Sequence, residues 1–141
     1  MNRTKIVVDT SVIIKWLSSD KEDHLDFANK LLEDALEGAI ELLAPELSKY
    51  EVGNVLLFSK KLSSQQGAEV LAQFYTLPIN FITESDDLST ETYDLAFTLG
   101  ITYYDASFIS LAKQNGAILV TENIKHQGKS KDIMVKSLQD Y

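Results

Sequence analysis

The chain has 141 residues, 45% of them hydrophobic, which suits one folded unit with a core of ordinary size. Its formal net charge of −8 and pI near 4.7 exclude a sequence-blind nucleic-acid coat, because non-specific phosphate binding is driven by Lys and Arg releasing counterions. It has no cysteine, which excludes a disulfide framework and a thiolate metal site. The start MNRTKIVVDT meets a charge at Asp9 before any signal-peptide core forms, and no apolar run approaches the roughly 18 residues of a membrane span. A cytoplasmic protein with no membrane association is expected. Charge is uneven: residues 20 to 37 hold seven acids against Lys21 and Lys30, whereas 124 to 136 hold Lys125, Lys129, Lys131 and Lys136 against Asp132. The basic end suits either an anion or plain solvent.

Residues 4 to 9 read as a short strand, Lys5-Ile6-Val7-Val8 running into Asp9, and Thr10-Ser11 open a helix through Leu17. Apolar residues at 25, 28, 31, 32, 35 and 36 predict a second helix that Gly38 ends. Ala39 to Ala44 reads as a strand, and Pro45 suits the first turn of a helix from about Glu46 to Lys61. Ser63-Ser64 predict a cap for a helix to Phe74 or Tyr75, followed by the strand Ile79-Asn80-Phe81-Ile82. Asp86 or Asp87 then caps a helix ending at Gly100, and Asp105 opens another ending at Asn115-Gly116. Ala117 to Val120 is a buried strand; after a polar loop from Lys125 to Lys131, Ile133 to Leu138 is a last one. Short strands alternating with helices predict an α/β fold, with a mainly parallel sheet of about four to five strands and helices on both faces. Ligands gather at the strands' C-terminal ends in such a sheet, and Asp9 and Asn123 both belong to that rim.

Three carboxylates far apart in sequence, Asp9, Glu51 and Asp105, stand where the fold brings chemistry together. Taken singly, Asp9 and Asp105 also read as helix N-caps. Glu51 is different, because Leu47, Glu51, Asn54 and Phe58 form one helical stripe with two polar residues between two apolar ones. A carboxylate on such a stripe is costly unless paired, protonated or bound to metal. If the three acids converge, a cation relieves their repulsion, and oxygen-only ligands favour Mg²⁺, with Mn²⁺ as a substitute. His24 and His126 read as surface residues. An Asp ending a first strand also suits phosphoryl transfer to carboxylate, but position 11 is Ser where a second acid is needed.

The segments VVDTSVIIKWL, ELSKYEVGNVL and LGITYYDASFISLAKQNGAILVTEN, in that order, resemble the PIN-domain nucleases. They are most similar to the small group that serves as the VapC ribonuclease toxin of VapBC toxin–antitoxin pairs. The resemblance runs from about Lys5 to Leu138. It implies a single PIN-like domain over 1–141 and a Mg²⁺-dependent endoribonuclease that hydrolyses RNA phosphodiesters by in-line attack of an activated water. Asp9, Glu51 and Asp105 match the family's metal-binding acids, Thr10 or Ser11 the hydroxyl residue after the first Asp, and Asn54 a polar residue one turn after the Glu. Where the family often has a fourth acid, in T-x-D, this chain has Asn123, which keeps a carbonyl oxygen but removes one charge. Glu122 is the weaker substitute, because adjacent residues at a strand end point to opposite sides. Lys15 and Lys49 are candidate phosphate contacts; Trp16, Tyr103, Tyr104 and Phe108 read as core or dimer-packing residues before base-stacking ones. The resemblance further implies a homodimer and a small VapB-like antitoxin covering the site. The alternative is a catalytically weak PIN-like domain that binds RNA or protein.

Overall fold

The computed structural model describes residues 3–18, 22–124 and 128–141. Lys21, Lys125 and His126 lie outside the described residues. Among the described residues five strands form one all-parallel sheet in the order β3-β2-β1-β4-β5: β1 (Thr4–Val8), β2 (Ile40–Pro45), β3 (Ile79–Ile82), β4 (Ile118–Val120) and β5 (Val135–Lys136). The helices are α1 (Thr10–Leu17), α2 (Leu25–Leu36), α3 (Leu47–Asn54), α4 (Ser64–Phe74), α5 (Asp86–Leu99) and α6 (Tyr103–Asn115).

The strands alternate between two cores, as their period of two requires. Ile6, Val8, Leu42, Ala44 and Val120 pack with α1 to α4, whereas Val7, Leu43 and Leu119 pack with α5 and α6. Burial on both faces explains why the strands are nearly all apolar. From β1 the chain steps outward to β2 and β3, then returns to lay β4 and β5 on the other side of β1. That reversal leaves a crevice at the C-terminal ends of β1 and β4, where Val8 pairs with Val120.

Most element bounds follow the sequence reading, and the departures have local causes. Helix α6 begins at Tyr103, two residues before Asp105, because the Thr102 hydroxyl caps it by accepting from the Asp105 amide at 3.0 Å. Likewise Ser85, not Asp86 or Asp87, caps α5 through the Leu88 amide. Pro45 is the last residue of β2, where a missing N–H is tolerated, and α3 starts at Leu47. The long helix predicted to Lys61 passes into a π-helical turn, Val55–Ser59, which leaves Leu57 and Phe58 exposed. Phe58 therefore does not continue the predicted apolar stripe. Strand β5 is only two residues long because β4 offers it just Leu119 and Val120; Leu138–Asp140 then forms a 3-10 turn. Ser63 does cap α4, in a reciprocal pair with Gln66.

No single helix among the described residues is long and apolar enough to cross a membrane.

Candidate active site

Asp9 leaves β1 into the crevice and is 5% exposed. It occupies the N-cap position of α1, yet its side chain closes no cap hydrogen bond. Both carboxylate oxygens are taken elsewhere: Oδ1 accepts from the Ser11 hydroxyl and Oδ2 from the Thr121 hydroxyl. Each hydroxyl is itself fixed by a backbone amide, Ser11 by Glu122 N–H at 3.1 Å and Thr121 by Asn123 N–H at 2.8 Å. Burial pushes the Asp9 carboxyl up from 3.8 to about 6, against the pull of these hydroxyls and of the Ser11 and Val12 amides. A buried carboxylate answered by hydroxyls and amides holds a charge that a cation would relieve.

Thr10 turns to the other acid. Its hydroxyl donates to Glu51 Oε1 at 2.7 Å, so the adjacent pair Thr10-Ser11 serves two carboxylates at once. Glu51 is half-buried on α3; desolvation raises its pKa, the Thr10 bond lowers it, and the charge of Asp105 raises it again. Asp105, on α6, is thus close enough for its charge to act on Glu51 on α3. Asp105 is half-buried in the first turn of α6 and is not the cap. Asn54, exposed at the end of α3, shares a cleft of about 470 Å³ with Leu47, Tyr50, Glu51 and Tyr104. Asn123 lies half-buried just past β4, its amide on Thr121.

The donors are all oxygens, which suits a hard divalent ion, and the residues that could hold it are Asp9, Glu51 and Asp105. As the side chains lie, no three acids or histidines among the described residues stand close enough to share one ion.

Several neighbours have structural work. Glu122 accepts from the Leu138 amide at 3.3 Å and meets His24 Nδ1 at 2.6 Å, tying the C-terminal turn to the start of α2. His24 is accordingly half-buried and paired, not a bare surface residue. Lys15 is 8% exposed, its ammonium donating to the Asp23 carbonyl at 2.6 Å and pairing with Glu22 at 3.4 Å. Lys49 pairs with Glu46 at 2.9 Å and lies over the rings of Tyr75 and Phe81. Both lysines proposed as phosphate contacts are so engaged within the protein. Trp16 and Phe108 pack in the cores as expected, Trp16 donating to the Ala28 carbonyl at 2.7 Å, but Tyr103 and Tyr104 are not core residues. Thr121 was not singled out from sequence, although a polar residue directly after an apolar strand at the rim was the available signal.

Thr121→Val keeps shape and removes both bonds, leaving the Asn123 amide and Asp9 Oδ2 short of a partner. A loss of about 1 to 3 kcal/mol is expected in urea unfolding at neutral pH, largely restored in Thr121→Ser. An unchanged midpoint in the valine variant refutes this role.

A sequence profile of the PIN domain matches residues 6–130. The chain belongs to the PIN domain family. The match includes Asp9, Glu51, Asp105 and Asn123, and the PIN resemblance read from the three motifs is borne out. No curated protein sequence matches significantly. Among solved structures, this PIN domain is similar to PAE2754 from Pyrobaculum aerophilum, with 25% identity and a TM-score of 0.65 over 94% of this chain and 89% of that one. It shares the fold of a chain of VapBC2 from Rickettsia felis, solved bound to a DNA fragment from their promoter, at 19% identity and a TM-score of 0.75, covering 95% and 98%. It also shares that of VapC20 from Mycobacterium tuberculosis, described as a sarcin–ricin loop cleaving toxin, at 12% identity and a TM-score of 0.61, covering 81% and 86%.

Proposed function

We propose that this PIN domain is a VapC-type toxin, a divalent-metal-dependent endoribonuclease that hydrolyses RNA phosphodiesters. The observation that supports it most is that the adjacent hydroxyls of Ser11 and Thr10 hold the buried Asp9 and Glu51, with the charge of Asp105 acting on Glu51. Carboxylate oxygens brought to the C-terminal rim of a parallel sheet suit Mg²⁺ or Mn²⁺ and, through it, a phosphate. The chemistry such an ion supplies when bound is neutralisation of charge on phosphoryl oxygens and a more acidic water nucleophile. The chain's own contribution is placement: Ser11 and Thr121 hydrogen-bond the Asp9 carboxylate, Thr10 hydrogen-bonds Glu51, and Asp105 in the first turn of α6 acts on Glu51 through its charge. Asn54 and Asn123 are proposed to orient water or RNA with their amides. The similarity in fold to VapBC2 and to VapC20 agrees with this reading.

A homodimer and a small antitoxin are part of the proposal. The surface has apolar ground for both: Tyr93 and Phe97 are 68% and 82% exposed beside a hollow on α5, and Leu57 and Phe58 project from the π turn. That hollow contains none of the candidate acids, which suits a protein contact and not chemistry.

Asn123, in place of a fourth acid, favours a second reading, a PIN domain that binds but turns over weakly. One experiment separates the two. Purified protein is incubated with total cellular RNA in Mg²⁺, in Mn²⁺ and in EDTA, beside Asp105→Asn. Discrete metal-dependent products, reduced by about 10³-fold in the variant, are expected, equivalent to about 4 kcal/mol of transition-state stabilisation. Absence of products in both metals, from protein whose melting is cooperative, supports the weak binder.

A further inference from the structure

On the α1 side of the acids lies another hollow, of about 400 Å³, whose walls include Thr10, Ser11, Lys15, Glu22, Glu51 and Glu122. It shares Glu51 with the cleft on α3, so the two open on the same carboxylate from different sides. Lys15 and Glu22 in its wall belong to an ion group of three. Glu22, just before α2, divides its carboxylate between two ammonium groups: Oε1 takes Lys15 of α1 at 3.4 Å, and Oε2 accepts from Lys60, the residue that follows the π turn. The side chains of Lys15, Glu22 and Lys60 are only 7%, 15% and 16% exposed.

Stability alone is a poor reason to bury such a group, because the desolvation of the ions offsets most of their attraction. The arrangement of the three says more. Both cations stand on elements whose place does not depend on Glu22: the Lys15 ammonium also donates to the Asp23 carbonyl at 2.6 Å, and the Lys60 amide bonds the Val55 carbonyl at 2.9 Å. One oxygen for each ammonium is also how two lysines hold two oxygens of a phosphate, each acting as a point charge. The other charges of the hollow are acids already answered within the protein, Glu51 by Thr10 and Glu122 by His24 and the Leu138 amide. An anion entering here is therefore drawn to the end where the lysines stand.

We infer that Lys15 and Lys60 form a phosphate subsite flanking the acids, and that Glu22 is its internal occupant, a carboxylate in the place where a phosphate group of the substrate docks. Docking turns the Glu22 side chain away and passes its two cations to phosphate oxygens, so entry of the anion and release of Glu22 are a single exchange. The subsite follows from the ion group; only the source of the phosphate, an RNA backbone, rests on the proposed nuclease chemistry. Lys15 and Lys60 are binding residues here and touch no reacting atom.

The subsite is tested without metal or turnover. Inorganic phosphate is titrated by calorimetry, in EDTA, into the wild type, Glu22→Gln, and the double variants Glu22→Gln/Lys15→Met and Glu22→Gln/Lys60→Met, each first shown to unfold cooperatively in urea. Removing an internal competitor that fills the subsite about nine-tenths of the time raises affinity about tenfold, the gain expected in Glu22→Gln and cancelled in both double variants. A second arm follows a labelled ten-nucleotide RNA by anisotropy in Ca²⁺ buffer. There the slope of log affinity against log salt is expected to be shallower by about 0.7 in Glu22→Gln/Lys15→Met than in Glu22→Gln, the effect of one phosphate no longer neutralised. Phosphate affinity that is unchanged or weaker in folded Glu22→Gln overturns the subsite and leaves the group as an ion staple between α1 and the π turn. A gain that survives both methionine changes also overturns it, since the anion then sits elsewhere. A phosphate gain with an unmoved RNA salt slope overturns the assignment to an RNA backbone. Should both arms come out as expected while the wild type cleaves nothing in Mg²⁺, the subsite stands and the nuclease reading fails.

Discussion

Asp9→Asn is expected to abolish metal-dependent RNA cleavage, by about 10³-fold or more, and at the same time to make the metal-free protein more stable at neutral pH. The two effects have one origin. Asp9 is held in a buried crevice where its carboxyl is pushed from 3.8 to about 6, so the folded state holds the proton more tightly than the unfolded chain. Below the unfolded value both states are protonated and the group contributes nothing. As pH rises from about 4 to 6 the unfolded chain ionises first and stability falls; above about 6 the full cost, about 3 kcal/mol, is in place. Asparagine removes the charge and keeps one acceptor for the Ser11 or Thr121 hydroxyl, so about 2 kcal/mol is recovered, or about 4 to 8 °C in melting temperature. Added Mg²⁺ is expected to raise the melting temperature of the wild type and to leave the variant where it was. A metal-free variant that melts at or below the wild type at pH 7.5 shows that the Asp9 charge is already compensated.

Phe74→Ala is expected to cost about 3 to 5 kcal/mol, a large share of the 5 to 15 kcal/mol typical of a domain. Phe74 ends α4, is fully buried, and meets the Phe81 ring of β3 edge-on at 5.5 Å. Its ring is the anchor of a helix whose remaining residues are largely exposed or half-buried, so little can collapse into the space left. Phe74→Leu, which retains most of the volume, is expected to cost less than about 1.5 kcal/mol. Urea unfolding with an unchanged slope checks both; a loss below 1 kcal/mol in the alanine variant shows that α4 is held by other contacts.

The sequence made the fold legible wherever a signal was local. Val7 and Val8 between Lys5 and Asp9, or Leu25 to Leu36 closed by Gly38, carry their period within a few residues, and Gly100 and Gly116 stop α5 and α6 in the left-handed conformation that glycine adopts cheaply. Competing local signals misled. Asp105 looks like a cap, yet Thr102 three residues earlier supplies the oxygen, which places Asp105 inside the helix and leaves its carboxylate available to influence Glu51. The π turn after Asn54 has no signature in the sequence, and it is what carries Phe58 out of the predicted stripe. At the site, the acids were visible as types in the wrong company, but their partners were not. Nothing near Asp9 in the chain announces that Thr121 holds its second oxygen, because that bond is made only by the pairing of β1 with β4. The exposed tyrosine beside Glu51 was equally silent, since one aromatic on a helix says nothing about the cleft it faces.

The bond between Asp9 and Thr121 spans 112 positions, and the sheet places β4 beside β1 only after every intervening element has been made. In N-to-C order the first strand and its aspartate come early, and the crevice lacks one wall until β4 is in place. Any truncation before Thr121 yields a fragment in which Asp9 lacks its second hydroxyl and β1 lacks one of its two neighbours in the sheet.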